Sequence, residues 1–305
     1  MPKKITAKRV VLTSVLVDLS DVLVNLTVAI LSGSVVVLAE FFQGMADLIS
    51  SSLLYIGLRS SRGGRSRRYP FGRGREIYFW SLLSAFVMFF LAAGFSFYQG
   101  YQRFLNPQPI ENIHLAFISL SLGFVLNGYA FLLSLRRIVE RRGVRKILAL
   151  FFRTRLVETK NTLVLDLTGT VSALIGLVSM VIYQATGRIY FDALGAMVIG
   201  VVLAVLAVAL ILGIRDFIIG QAASPDTERK IRQAVLELRD VRGVLDLRTM
   251  IMGSDRILVN LEVHIRDGLT TDEIEILIDR IKDRVRNKVP AIHHVQVELE
   301  TPDKP

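Results

Sequence analysis

The stretch Ala39–Ser50, AEFFQGMADLIS, places a carboxylate near the middle of a long apolar run. That run, Ser34–Leu58, is long enough to cross a bilayer, which takes about 20 residues of helix. A charged side chain at the bilayer centre costs roughly 2.5–3.5 kcal/mol on insertion scales, and such residues usually face a partner or a cavity. Asp47 is therefore a candidate functional residue. Gln43, four residues earlier, shares its face of the helix.

Five further runs are long enough to span a membrane, and the chain as a whole is strongly apolar. It has 305 residues, of which 52% are hydrophobic, and a mean hydropathy of +0.48, which is too apolar for an ordinary soluble domain. It contains no cysteine, so disulfides and thiolate metal ligands are excluded. The sequence predicts an α-helical membrane protein with six transmembrane helices. The other five runs are Val10–Leu31, Ile77–Tyr101, Ile113–Leu135, Thr162–Tyr183 and Phe191–Ile214.

The connections between the runs predict the orientation in the membrane. Seven arginines lie between Arg59 and Arg75, and eight basic residues lie between Arg136 and Arg155, whereas the other two long connections hold only Arg188. Basic loops stay on the cytoplasmic side, so both termini are expected in the cytoplasm, with the protein integral to the cell (inner) membrane. The basic N-terminus has no small-residue cleavage site and is interpreted as the cytoplasmic flank of the first span. These loops account for most of the net charge of +10, so nucleic acid is not expected as a partner.

The composition changes after Ile214, and residues 224–305 are patterned like a small α+β domain. Ser224 before a proline predicts a helix start, and Thr270 with Glu273 predicts a capping box. The expected order is α-β-β-α-β, with strands at 244–252, 256–265 and 293–300. The predicted domains are therefore 1–214 for the transmembrane part, 215–223 for a linker and 224–305 for a cytoplasmic domain.

Aspartates of the first, second and fifth spans share helix faces with other polar residues. No lysine or arginine lies within any of the six runs to neutralise them. Either these carboxylates are protonated or a cation visits them, which favours a cation or proton path. For the amides and threonines, the alternative role is hydrogen bonding between helices. The polar positions are Asp18, Asp21 and Asn25 in the first span, Gln43 and Asp47 in the second, Asn127 in the fourth, and Thr162, Asp166 and Thr170 in the fifth.

The sequence resembles the cation diffusion facilitator family, which comprises metal/proton antiporters with six spans and a cytoplasmic ferredoxin-like domain. The likeness covers nearly the whole chain. It depends on SGSVVVLAE before Asp47, YPFGRGREIYFW before the third span, Asp166 in the fifth span, YFDALGAMVIG at the sixth and IGQAASP before the last domain. The resemblance implies a homodimer with a transport function. No paired catalytic signature and no serine or cysteine nucleophile pattern is visible, so enzymatic activity is not expected. The YFW extension is similar to the branch related to mitochondrial zinc transporter-like proteins.

The resemblance also implies a metal site midway across the membrane, built from an (His/Asp)-x-x-x-Asp pair on each of the second and fifth spans. Carried over by position, the pairs are Gln43 with Asp47 and Thr162 with Asp166. Both aspartates match the family pattern, whereas Gln43 and Thr162 replace its first ligands. Leu165 stands where the related branch has a glutamate. Asp21 is a candidate third carboxylate of this site.

The ligand chemistry bears on which metal is carried. Zinc favours imidazole or thiolate ligands. Apart from His114, at the start of the fourth span, the spans contain neither histidine nor cysteine. Carboxylate, amide and hydroxyl oxygens suit harder ions such as Mn²⁺, Mg²⁺ or Fe²⁺, although the sequence does not choose among Mn, Fe, Co, Zn and Mg. Counted from the predicted inner end of its span, Asp166 lies nearer that end than Asp47 does. Its helix is therefore expected to begin earlier, or to bend, if the two carboxylates meet.

Two functions follow from these expectations. The first is a secondary active transporter that exports a divalent metal cation from the cytoplasm in exchange for protons, with the metal, protons and lipid bilayer as partners. The alternative is a non-transporting, metal-responsive homologue that acts as a membrane sensor or scaffold through its cytoplasmic domain. The loss of both first-position ligands favours the alternative. Arg73 stands where the family often has a histidine, so no metal is expected in the basic loop, and His264, His293 and His294 are expected at the surface.

Overall fold

The computed structural model describes residues 7–139, 157–254 and 256–301. Five of its helices are long and apolar enough to cross a membrane, and the described apolar part of the first helix is Leu19–Ser32. The predicted helical membrane fold is confirmed, with most helices a few residues longer than expected. The helices are α1 (Ala7–Ser32), α2 (Val35–Ser61), α3 (Glu76–Leu105), α4 (Ile113–Val139), α5 (Val157–Thr186) and α6 (Tyr190–Ile219).

The surface of the helical unit is apolar where a soluble protein would be polar. Ile118, Val125 and Val205 are more than 60% exposed, while serines of several spans are fully buried. Lipid tails cover such apolar side chains, and buried small polar residues let helices approach one another closely. This distribution agrees with the membrane fold.

Helices α3 and α6 approach each other at glycines. A Cβ built on Gly100 of α3 would lie 2.8 Å from the Ala193 carbonyl oxygen and from Met197 of α6, and one built on Gly200 would lie 2.8 Å from Phe97. Only glycine fits at such distances. The middle of α3, Met88–Gly94, is wound as a π-helix, which the sequence analysis did not predict.

The start of α2 is held by a side chain from α6. Asp192 accepts hydrogen bonds from Ser34 Oγ at 2.7 Å, from the Val35 N–H at 2.9 Å and from the Val36 N–H at 3.1 Å. The first N–H groups of a helix have no partner within the helix, and Asp192 supplies one from outside. The only connection between α1 and α2 is Gly33-Ser34, with Gly33 at a φ of +66° that favours glycine.

The C-terminal elements form a three-stranded sheet with two helices, in the predicted order α-β-β-α-β. They are α7 (Pro225–Leu236), β1 (Val241–Gly253), β2 (Arg256–Ile265), α8 (Thr271–Lys288) and β3 (Ile292–Leu299). The strand order is β1-β2-β3, with β1 antiparallel and β3 parallel to β2. β1 begins three residues before the predicted position because a bulge near Val244 lets the pairing continue.

Both helices of this domain begin at the predicted caps. Ser224 accepts from the Thr227 N–H, and Thr270 forms the full capping box with Glu273. The hydrogen bonds from the backbone and side chain of Thr270 hold the pKa of the Glu273 carboxyl below its usual range. Alternate residues of β2, including Val259, Leu261 and Val263, are fully buried against the helices. This period-2 pattern produces the single-sided core of the α+β domain.

The arginine-rich loop belongs to the same compact unit as the C-terminal domain, which comprises Ser60–Tyr78 and the chain from Arg215 onward. Gly74 lies against the β1–β2 turn, where a built Cβ would come 2.4 Å from the Met252 carbonyl oxygen. Arg75 donates to the Ile218 carbonyl oxygen. The first compact unit comprises the rest of the helices. The domain limits given above stay a prediction.

Candidate functional site

The candidate site begins with two polar side chains on one face of α2. Gln43 is 3% exposed and Asp47 is half-buried. Gln43 Nε2 donates to Asp47 Oδ2 at 3.3 Å, as expected for residues four apart on a helix. The amide therefore directs its nitrogen to Asp47 and leaves its oxygen for another partner.

That partner is Ser172 of α5, which the sequence analysis did not identify. The Ser172 Oγ donates to Gln43 Oε1, so an amide oxygen and a hydroxyl join the second and fifth spans directly. Ser172 also lies 3.3 Å from the Gly169 carbonyl oxygen. If Gln43 Oε1 coordinates an ion, this hydroxyl proton must turn elsewhere, which leaves the Ser172 oxygen free to join the ligand set.

The contacts between α2 and α5 also fix the register of Asp47 and Asp166. Val36 of α2 packs on Gly176 of α5, where a built Cβ would lie 2.7 Å from Val36 Cγ1. Since Gln43 meets Ser172 and Val36 meets Gly176, the two helices run antiparallel. From the Gln43–Ser172 bond, Asp47 lies about 6 Å and Asp166 about 9 Å along the helix axes in the same direction, at 1.5 Å per residue.

The two carboxylates therefore lie at similar depth, within about 3 Å along the axes. Asp166 is half-buried, and its carbonyl oxygen accepts from Thr170 Oγ1 at 2.8 Å. Helix α5 begins at Val157, five residues before the predicted start, which meets the expectation that the helix of Asp166 begins earlier. The side chains of Thr162 and Asp18 lie outside the described residues.

Asp21 lies beside α2. A Cβ built on Gly44 would come 3.5 Å from Asp21 Oδ2, so the missing side chain of Gly44 makes room for the carboxylate. Asp21 is hydrogen-bonded to Asn25, whose Oδ1 accepts from Ser119 Oγ at 2.6 Å. Asn25 thus has the helix-joining role, between α1 and α4, that was given as the alternative for such residues. Asn127 packs on Gly169 of α5, where a built Cβ would lie 2.6 Å from its Cγ.

Glu40 is the buried carboxylate that the sequence analysis quoted without assigning a role. It is 5% exposed and lies three residues before Gln43, on the face that carries Gln43 and Asp47. Its Oε1 has no hydrogen-bond partner among the described residues. The spacing 40, 43, 47 was the available signal, because i, i+3 and i+7 fall on one side of a helix.

The oxygen donors around Gln43 and Asp47 are carboxylates, an amide and a hydroxyl. Within residues 7–139, 157–254 and 256–301, no three His, Asp or Glu side chains lie close enough together to hold a metal ion. An ion bound here would therefore need amide and hydroxyl oxygens beside the carboxylates, which is the donor set of hard cations.

His264, His293 and His294 belong to the same compact unit as the basic loop. In the C-terminal unit, His293 is exposed, and His264 and His294 are partly exposed. The His294 ring makes an edge contact with Phe71, at 5.5 Å between ring centroids. Arg73 pairs with Glu76 and lies over the Tyr69 ring.

Comparison with known families covers both parts of the chain. The family model of the cation efflux transmembrane domain matches residues 11–213. The family model of the cation efflux protein cytoplasmic domain matches residues 223–302. The chain belongs to the cation efflux family. This confirms the resemblance to the cation diffusion facilitators.

Three relatives of this cation efflux chain come from distant organisms. The Xenopus laevis "Proton-coupled zinc antiporter SLC30A9, mitochondrial" is 23% identical over 95% of this chain and 59% of its own length. The Arabidopsis thaliana "Metal tolerance protein C4" is 22% identical over 97% of this chain and 74% of its own length. The Shewanella oneidensis "Cation-efflux pump FieF" is 24% identical, covering 88% and 86%. The chain thus spans about three fifths of the length of the Xenopus relative.

Proposed function

We propose that this chain is a secondary active transporter that exports a divalent metal cation from the cytoplasm in exchange for protons. The observation that carries the proposal is the link between Gln43 of α2 and Ser172 of α5, with Asp47 and Asp166 at similar depth beside it. No lysine or arginine lies in these spans to neutralise the acids. The family membership and the names of the relatives support the same function.

The proposed ion ligands are Asp47 and Asp166, with Gln43, Thr162 and Asp21 contributing further oxygens. Two ionised carboxylates neutralise a divalent ion. Protonation of either carboxylate removes half of that charge, so a proton that arrives on the far side favours release of the metal. Exchange of metal for protons then follows from competition for the same oxygens, while the helices rock around the site.

The donor set favours a hard ion over zinc. Each proposed ligand binds through oxygen, which Mn²⁺, Mg²⁺ and Fe²⁺ accept readily, whereas zinc sites in proteins are rich in histidine and cysteine. The Xenopus relative is named as a zinc antiporter. We therefore propose Mn²⁺ as the first ion to assay, with Zn²⁺, Fe²⁺, Co²⁺ and Mg²⁺ beside it.

The C-terminal unit is proposed to hold two copies of the chain together, since the family that matches residues 223–302 bears the name ZT_dimer. Both termini are proposed to lie in the cytoplasm of a cell membrane, because the arginine-rich loop and the C-terminal domain form one compact unit, and basic loops remain on that side.

Uptake into proteoliposomes with an imposed proton gradient tests the transport function. The wild type is expected to move Mn²⁺ against its gradient, and Asp47→Asn and Asp166→Asn are each expected to abolish this movement. Both variants should insert normally, because removal of a charge from the bilayer interior favours insertion. Asp216→Asn is the control, since it makes the same chemical change at an exposed position near the end of α6.

The outcomes of this assay distinguish transport from the alternative function and test the proposed ligands. If the wild type binds Mn²⁺ or Zn²⁺ in detergent but transports neither in liposomes, the chain is the non-transporting, metal-responsive homologue. If either aspartate variant transports like the wild type, the ligands lie elsewhere in the spans.

A further inference from the structure

Glu40 lies where four helices of the membrane unit meet. It belongs to α2, and Ser172 of α5 is hydrogen-bonded to it. A Cβ built on Gly123 of α4 would lie 4.0 Å from its Oε2, and Asp21 of α1 is close enough to interact with it electrostatically. The carboxylate is 5% exposed. It thus lies in the interior of the helical unit, away from lipid.

The oxygens of Glu40 are not satisfied by the groups around them. Oε1 has no hydrogen-bond partner in the described part of the chain. The Ser172 hydroxyl has one proton, and three acceptors compete for it, namely Glu40, Gln43 Oε1 and the Gly169 carbonyl oxygen. A buried acceptor without a donor is costly.

Neither charge state of Glu40 removes this cost without a ligand. As a carboxylate, it is a buried charge with Asp21 as its charged neighbour, and that neighbour repels it. As an acid, it either carries its proton on Oε1, where no described residue accepts it, or carries it on Oε2, which leaves Oε1 a buried acceptor without a donor. A bound cation satisfies both oxygens and also relieves the repulsion between the two carboxylates.

We propose that Glu40 is a cation ligand and that, with Asp21, Gln43 and Ser172, it forms a second position for the transported ion. That the ion bound here is the transported one rests on the proposed function. Glu40 and Asp47 lie on one face of α2, separated by about 10 Å along its axis. Gln43 and Ser172 lie between them, and so does Asp21, which lies beside Gly44. The ion therefore passes from the Asp47–Asp166 level to the level of Glu40 along a column of oxygen donors, and Asp21 serves both positions.

The donor set of this position defines its ligand class. It offers two carboxylates, one amide oxygen and one hydroxyl, and no nitrogen or sulfur. Such a set suits a hard divalent cation with flexible coordination, such as Mn²⁺. Gly44 and Gly123 line the position without side chains, which leaves room for the carboxylates of Asp21 and Glu40.

The test is Mn²⁺ binding by the full chain in lipid nanodiscs, read from the electron paramagnetic resonance signal of free Mn²⁺. Glu40→Gln keeps the shape of the side chain but removes its charge. It is expected to weaken Mn²⁺ binding by about tenfold or more, since affinity for hard cations rises with the number of charged ligands. Glu40→Asp keeps the charge and should retain a larger part of the affinity. Glu111→Gln, the same change at an exposed site between α3 and α4, should have no effect.

A second pair of variants separates the position from general packing. Ser172→Ala removes the hydroxyl that touches both Glu40 and Gln43, and we expect weaker Mn²⁺ binding and slower Mn²⁺ uptake. Ser81→Ala removes a hydroxyl that is equally buried in α3 and has no partner among the described residues. It should leave both measurements unchanged.

These experiments distinguish failure of the second ion position from failure of the transport proposal. If wild type neither binds nor transports a divalent cation, the proposed function fails and the second position with it. If wild type transports Mn²⁺ and Asp47→Asn abolishes this, but Glu40→Gln binds and transports Mn²⁺ like wild type, only the second position is overturned. A Glu40→Gln protein that melts differently from wild type yet binds Mn²⁺ equally well also overturns it, because Glu40 is then a packing residue.

Discussion

The contact between Asp192 and the start of α2 gives a prediction whose size follows from the structure. In Asp192→Ala, three donors lose their acceptor: Ser34 Oγ, the Val35 N–H and the Val36 N–H. Hydrogen bonds within membrane proteins contribute about 0.6 kcal/mol on average and up to about 1.7 kcal/mol. Three such bonds amount to about 2–5 kcal/mol. Val35 and Val36 are 6% and 0% exposed, so water does not replace the acceptor, and the loss should lie in the upper half of this range.

The variant Asp192→Asn provides the internal control. Oδ1 of Asp192 accepts from Ser34 and Val36, and Oδ2 accepts from Val35. An asparagine with its oxygen at the Oδ1 position keeps two of the three bonds, so it should lose about one third as much stability as alanine, or roughly 0.6–1.7 kcal/mol.

Equilibrium unfolding in mixed micelles, followed by the fluorescence of the single tryptophan, Trp80, measures both free energies of unfolding. The expected order of stability is wild type, then Asn, then Ala. If alanine is no less stable than asparagine, the hydrogen bonds to Asp192 do not hold α2, and the reasoning is refuted.

Two further predictions concern ion selectivity and helix packing. Gln43→His places an imidazole one turn from Asp47 and should raise the transport of Zn²⁺ relative to Mn²⁺ in competition assays, because zinc favours nitrogen ligands. An unchanged ranking of the two metals would remove Gln43 from the ligand set. Gly100→Ala inserts a methyl group 2.8 Å from α6 and should destabilise the protein by about 1–3 kcal/mol in the same unfolding assay. Gly213→Ala, in a helix position with open space, should be neutral or stabilising by up to about 1 kcal/mol, and equal effects at the two glycines would contradict the close contact.

The order of helices and strands could be predicted from sequence because each depends on a local pattern. Apolar length identified the spans, and the capping signals of Ser224 and Thr270 identified both helix starts of the C-terminal domain. The π-helical segment Met88–Gly94 could not be predicted in this way, since its residues are ordinary apolar ones. The capping of α2 by Asp192 was equally hidden. It joins residues more than 150 positions apart, which no local pattern relates.

The candidate site was predicted in part, for a similar reason. Spacing along one helix placed Gln43 and Asp47 together, and their hydrogen bond agrees with that spacing. The partner across the helix interface could not be derived, because the face of α5 that meets α2 depends on packing. Ser172 has no charge and no distinctive spacing, so only the contact with Gln43 identifies it.

The replacement of the expected first ligand by Gln43 acquires a physical reason once Ser172 and Glu40 are considered together. A histidine or aspartate at position 43 would supply a strong ligand of its own. Gln43 supplies a weaker, neutral oxygen, already engaged by Ser172, while Glu40 places a carboxyl group three residues earlier on the same face. Where the family pattern has aspartate, it puts a carboxylate at position 43, and this chain has a carboxylate at position 40 instead. On this view Glu40 adds to the ion path along α2 the carboxylate that position 43 lacks. The combined variant Glu40→Gln with Gln43→Asp, which moves the carboxylate to position 43, should recover Mn²⁺ transport that Glu40→Gln alone loses. Failure of the double variant to exceed Glu40→Gln in the proteoliposome assay would show that the two positions do not substitute for each other.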